Sequence, residues 1–305
     1  MFRSSHAYLV GAALCWGLGT VLTKYALGGF DPAVLLPFQL TCSVVLLGVF
    51  ILATGTSVHG IQHVVKVAAL GVLNPGVAYA LGLVGLAQID ASLSVIIWAT
   101  EPVLIVLMAV ALLHERLRLW SLIFLATAMA GIALIVGAPS AGVPVAGVAL
   151  TFSAVAACAL YSVLLRRMSL TDDTLPIVFV QQVSALSFAV VVLLATQTRS
   201  SWTVDASASQ AICAILAGGL YYGVAFLLYV AGLRRTSATR AGMSLTLIPV
   251  FGLFFSTLFL GETMGPGQFL GSAVVIGSMA LLAIREANEA PTRTLSSSEH
   301  RPWHA

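Results

Sequence analysis

The chain has 305 residues and a formal net charge of +3 at pH 7, with 59% apolar and only 8% charged residues, against about 25% charged in an average soluble domain. At a mean hydropathy of +1.03 it lacks the polar residues that coat a soluble globule and is far too aliphatic to be disordered. A soluble fold and a nucleic-acid binder are excluded, and the basic residues are read first as topology signals.

A helix needs about 20 mainly apolar residues to cross roughly 30 Å of hydrocarbon. In chain order, ten stretches qualify: Ala7–Leu27, Val34–Thr54, Val64–Leu86, Ala91–Leu113, Leu119–Gly137, Gly147–Leu165, Leu175–Thr196, Gln210–Ala231, Ala238–Leu260 and Pro266–Ile284. The breaks carry loop chemistry, as in Gly28-Gly29-Phe30-Asp31-Pro32 and Thr171-Asp172-Asp173. Nowhere do short alternating segments suggest a membrane barrel. The first span holds Trp16, Thr20, Thr23 and Lys24 and ends without a small-x-small cleavage site, so it reads as a retained helix. Residues 286–305, with Pro291 and Ser296-Ser297-Ser298, read as a disordered cytoplasmic tail. Cys15, Cys42, Cys158 and Cys213 form no C-x-x-C pair and read as small core residues; no metal or cofactor is expected.

Placing the N-terminus in the cytoplasm and alternating sides puts Arg3, Lys66, Arg116, Arg118, Arg166, Arg167, Arg234, Arg235, Arg240, Arg285, Arg293 and Arg301 inside. Only Lys24 and Arg199 fall outside. That bias follows the positive-inside rule and requires an even number of spans with both termini cytoplasmic.

The chain also repeats itself. At an offset of 147, Gly71, Leu73, Gly76, Val77 and Ala78 fall on Gly218, Leu220, Gly223, Val224 and Ala225; Pro102-Val103 falls on Pro249-Val250, and Glu115 on Glu262. A weaker match at offset 142 pairs Trp16-Gly17-x-x-Thr20 with Cys158-Ala159-x-x-Ser162. Each half, residues 7–138 and 147–285, holds five spans. An odd number makes the halves enter the membrane from opposite sides, giving an inverted repeat of the kind found in secondary transporters. The expected fold is therefore an all-α polytopic membrane protein, ten helices in two inverted five-helix repeats around a central cavity.

With Trp16-Gly17 early in the first span, Glu101-Pro102-Val103 leading to Glu115, and Pro249-Val250 leading to Gly261-Glu262, the chain resembles the EamA family of the drug/metabolite transporter superfamily. The resemblance covers residues 7 to about 285. It implies export or exchange of a small organic metabolite, such as an amino acid or related compound, across a bacterial cytoplasmic (inner) membrane. One departure is His114 before Glu115, where the second half has Gly261.

Glu101 lies about ten residues into its span, hence about 15 Å deep. A charge at that depth costs about 2.5–3.5 kcal/mol on insertion scales. A proton-coupling or amine-binding carboxylate and a structural hydrogen-bond donor both fit. Lys24, only about 5 Å from the outer end of the first span, is out of its reach and is expected to snorkel. Trp16, Thr20 and Thr23 share a face of the first span; Ser94, Trp98 and Glu101 one of the fourth; Tyr222 and Tyr229 one of the eighth, with Tyr221 adjacent. Asn74, Tyr161, Ser162, Gln181 and Gln182 add polar groups. Trp16, Thr20, Asn74, Trp98, Tyr161, Gln181 and Tyr222 are the expected cavity lining, the alternative being hydrogen-bonded glue between helices. Pro75, Pro102 and Pro249 are the expected helix breaks around a midplane site.

Three function classes then compete. An intramembrane enzyme would need a nucleophile–base or metal set, and no H-E-x-x-H or G-x-S-x-G motif is present. No Walker A sequence is present for a primary pump. A receptor or scaffold leaves the inverted repeat unexplained. The leading expectation is a secondary transporter using alternating access and coupled to protons, with an uncoupled facilitator or exchanger as the alternative. Its partners would be a small-molecule solute, protons and the lipid bilayer.

Overall fold

The computed structural model of the chain describes residues 2–57, 64–86, 88, 97–116, 118–136, 144–168, 173–196, 205–260 and 265–289. Among them the architecture is ten helices and no strand. We number them α1 (Phe2–Ala26), α2 (Pro32–Thr54), α3 (64–86), α4 (Glu101–Leu113), α5 (Leu119–Val136), α6 (Val145–Met168), α7 (Thr174–Thr196), α8 (208–233), α9 (238–260) and α10 (Pro266–Glu289). Seven contain apolar helical stretches of 22–26 residues and three contain shorter ones, so a bilayer is the solvent this surface fits. Exposed aliphatics such as Leu52, Val65 and Leu194 face outward along the bundle.

Local chemistry sets the helix ends. Asp31 caps α2 by accepting the Ala33 N–H at 2.8 Å, with Pro32 in the first turn where its missing N–H costs nothing. Ser207 and Gln210 form a reciprocal capping box on α8, and the Ser237 hydroxyl accepts the Arg240 N–H at the start of α9.

Three helices are broken. In α3, a wide π stretch over Val72–Val77 interrupts Val64–Gly71 and Ala78–Leu86, and Asn74 leaves the helical region at φ −147°, ψ 120°. In α8, a π stretch spans Gly218–Val224; in α9, a 3-10 turn over Leu245–Leu247 precedes Ile248–Leu260. The expected fourth span, 91–113, is described from residue 97: residues 97–98 are helical, a turn follows at 99–100, and a regular helix runs from Glu101. Pro102 explains that start: it has no N–H to continue a helix running in from before it. At the other end of the chain, α10 continues to Glu289, four residues into the segment expected to be unstructured. Glu286-Ala287-Asn288-Glu289 contains no breaker, and the first proline comes at 291; residues 290–305 lie outside the described residues.

The packing has the symmetry of the repeat. Helix α1 packs against the second parts of α8 and α9, while its counterpart α6 packs against the second part of α3 and against α4. Helix α2 meets the π stretch of α8, and α7 meets that of α3. Gly71 sits against the Gln181 backbone, where a Cβ would come within 2.5 Å of Gln181 Cα. Its counterpart Gly218 sits against Gln39, whose carbonyl oxygen would lie 2.6 Å from an added Cβ. Small residues thus let the two halves interlock backbone to backbone. Helices α5 and α10 pair at the periphery through Gly131 and Gly271.

Contacts at the helix ends fix their relative direction. At one face, the Arg235 guanidinium lies 4.8 Å from the Tyr8 ring centroid, Arg234 donates to Thr174, and Arg285 lies 3.5 Å over Trp120. Glu115 grips the start of α9 at that same face, accepting the Ala238 and Thr239 N–H groups at 2.9 and 3.1 Å and the Thr239 hydroxyl at 2.6 Å. At the opposite face, the Tyr25 and Ser209 hydroxyls are 3.1 Å apart.

Candidate functional site

The π stretch of α8 packs on α1, and just beyond the π stretch of α3 Tyr79 reaches its rings; there the aromatic residues gather. Tyr79, one turn beyond Pro75, has its ring centroid 5.8 Å from Trp98, 5.7 Å from Tyr221 and 5.4 Å from Tyr222. Tyr221 and Tyr222 are neighbours in the π stretch, with centroids 5.0 Å apart. An α-helix would splay adjacent side chains by about 100°; the wider π turn helps turn both toward Tyr79. Trp16 packs on Phe226 at 5.6 Å and Tyr229 at 5.2 Å, and Tyr161 reaches Phe226 at 6.2 Å. These separations fit the edge-on and tilted arrangements that ring quadrupoles prefer.

Polar groups thread this ring cluster. The Tyr161 hydroxyl donates to Gln181 Oε1 at 3.0 Å, linking α6 to α7. The Tyr229 hydroxyl donates to Ser162 Oγ at 2.8 Å, and Ser162 donates to the Cys158 carbonyl. Thr20 donates to the Trp16 carbonyl at 2.8 Å and is also bonded to Tyr221, which bonds Tyr79. Glu101 is half-buried at the first position of α4. Several buried polar atoms have no protein partner: Trp16 Nε1, Asn74 Oδ1, Gln181 Nε2, and both amide atoms of Gln182. Groups of this kind are costly to bury unless water or a ligand meets them.

Of the residues singled out in the sequence, Trp16, Thr20, Trp98, Tyr161 and Tyr222 enter this cluster, Gln181 joins through Tyr161, and Glu101 heads α4 just beyond Trp98. Asn74 and Pro75 form the break in α3, Pro102 the first turn of α4, and Pro249 the first turn of the long part of α9. Lys24 is exposed near the far end of α1, and Ser94 lies outside the described residues. Sequence reasoning missed Tyr79 and Phe226, while Cys158 is the small buried core residue expected. Phe226 was findable, since Tyr222, Phe226 and Tyr229 stand at i, i+4 and i+7. Tyr79 was not, because the π stretch before it shifts the register of α3.

Comparison with known proteins gives a consistent picture. A solved structure titled only "Crystal structure of protein" superposes with a TM-score of 0.80 at 20% identity, covering 93% of this chain and 99% of that one, a likeness of fold. No curated protein matches the chain. The pattern of the EamA-like transporter family matches twice, over residues 3–137 and 145–284. With two matches that together span nearly the whole ten-helix bundle, the chain belongs to the EamA-like transporter family.

Proposed function

We propose that the protein is a secondary transporter that exports a small organic metabolite, such as an amino acid or related compound, by alternating access. The observation that carries this reading is the meeting of both halves at one site. Rings from α1, α3 and α8 converge where α3 and α8 depart from regular helix. Broken helices around a site near the midplane are how inverted-repeat transporters expose one cavity to either side in turn.

In this reading Trp16, Tyr79, Trp98 and Tyr222 offer ring faces to the solute, while Thr20, Gln181 Nε2 and Asn74 Oδ1 supply its polar contacts. Glu101 exchanges the coupling proton, since it is an acidic residue set deep within its span, at the head of α4. The end bearing Arg116, Arg118, Arg234, Arg235 and Arg285 faces the cytoplasm of a bacterial cell, with both termini on that side. There the Glu115 grip on α9 ties the halves together and holds the inner side shut.

Purified protein in proteoliposomes, tested for flux against a panel of labelled metabolites, checks this. Trp16→Ala or Tyr222→Ala should cut flux at least tenfold while membrane expression stays near wild type. Parallel loss of folded protein and flux would return both residues to packing roles. Solute binding without flux would make the protein a receptor.

A further inference from the structure

Away from the ring cluster, at the face where Glu115 holds α9, lies a cavity of about 200 Å³. Its described lining carries four guanidinium groups, Arg116, Arg118, Arg240 and Arg285, against one carboxylate, Glu115. Topology alone accounts for arginines at this face but not for their convergence: Arg166, Arg167 and Arg234 share the face and stay out of the cavity. The four come from three separate places in the chain, the α4–α5 connection, the first turn of α9 and the last part of α10. Glu115 is engaged by the Ala238 and Thr239 N–H groups and the Thr239 hydroxyl. Arg285 is laid over the Trp120 ring at 3.5 Å, an arrangement that fixes the plane of its donors.

The remaining walls are of two kinds. Ser121, Ser237 and Thr239 add hydroxyls, whereas Trp120, Phe124 and Leu282 are apolar. The apolar side continues into exposed Leu119, Leu122 and Ile123 on α5 and Leu281 and Ile284 on α10. A cationic pocket opening onto a lipid-facing apolar surface matches an amphiphile whose anionic head sits at the interface and whose chains run along α5 and α10. We propose that this cavity binds a phosphate-bearing anion, presented by the headgroup of an anionic phospholipid from the cytoplasmic leaflet. Guanidinium groups bind phosphate oxygens through paired, charge-assisted hydrogen bonds, and basic pockets between membrane helices take anionic headgroups by this chemistry. Because the lining draws on both repeats, an occupied site clamps α9 and α10 to the α4–α5 connection. The leaflet rests on the orientation proposed above, with this face cytoplasmic; headgroup binding itself is independent of which solute the protein carries.

Native mass spectrometry and thermal melting of the full chain in detergent test it, with phosphatidylglycerol, phosphatidylcholine and inorganic phosphate as separate probes. Wild type should retain phosphatidylglycerol over phosphatidylcholine and melt several degrees higher with it. Arg116→Gln/Arg118→Gln, at two exposed side chains, should weaken that retention at least tenfold while the variant still melts cooperatively without lipid. Arg166→Gln/Arg167→Gln, which removes the same charge elsewhere on the face, should leave it unchanged. Arg285→Gln should reproduce the loss from the α10 side. Equal losses in both double variants, or no preference between the two lipids, overturn the proposal. Stabilisation by inorganic phosphate with none from phosphatidylglycerol overturns the lipid source.

Discussion

Gly71 offers the sharpest quantitative test of the interlocked halves. In an exposed helix interior, alanine is favoured over glycine by about 0.8–1.0 kcal/mol. At Gly71 the added Cβ would stand 2.5 Å from Gln181 Cα and 2.7 Å from its carbonyl carbon, with the carbonyl oxygen nearer still. Carbon atoms in contact prefer about 3.5–4.0 Å, so α3 and α7 must part by about 1 Å. The obstacle is backbone, which cannot rotate aside as a side chain would. Overpacking of this kind costs about 1–3 kcal/mol, and a backbone clash belongs at the upper end. The net effect of Gly71→Ala is then a loss of about 2 kcal/mol, after the helix-propensity gain of about 1 kcal/mol. Gly218→Ala, facing Gln39 in the other half, should behave alike. Gly277→Ala, with nothing within 4 Å of the new methyl, should match or exceed wild type. Apparent melting temperature in detergent reads the order directly. A Gly71→Ala protein that melts at or above wild type would refute the close-packed interface between α3 and α7.

Other outcomes follow from the same structure. His114 ends α4 at φ 53°, in the left-handed region; His114→Gly should raise stability by about 1 kcal/mol, measured by melting temperature. Glu115→Ala strips three hydrogen bonds from the start of α9 and should cost about 1–3 kcal/mol; thiol-reagent accessibility of cysteines placed at the arginine-bearing end should rise with it, and Glu115→Gln should recover part of the loss. Single cysteines replacing Arg167 and Arg235 should label from the cytoplasmic side and one replacing Ser209 from the outside; opposite sides for Arg167 and Arg235 would end the ten-helix inverted scheme.

Much of the fold is written in the sequence because the bilayer makes strict demands. Runs of apolar residues mark the spans closely: the segment expected over 34–54 begins at Pro32 and ends at Thr54. The repeat is legible because Gly71 and Gly218 must be small for the same reason on opposite sides of the molecule. The π stretch of α8 is less so, since it contains no proline to mark it. Aromatics at helical spacing suggested the ring cluster, yet spacing holds only within a regular helix, which is why Tyr79 escaped notice. The Glu115 grip on α9 also escaped, because nothing in the local sequence says that residues 115 and 238 meet.

The central claim is that solute movement couples to a proton held by Glu101 where the two halves meet. Glu101→Gln keeps the shape and a hydrogen-bond donor but removes the exchangeable charge. The direct measurement is solute accumulation in everted vesicles under an imposed pH gradient, alongside exchange of labelled for unlabelled solute without one. The account predicts that the glutamine variant loses accumulation while exchange persists. Accumulation at the wild-type rate in that variant would contradict it and leave Glu101 a structural residue.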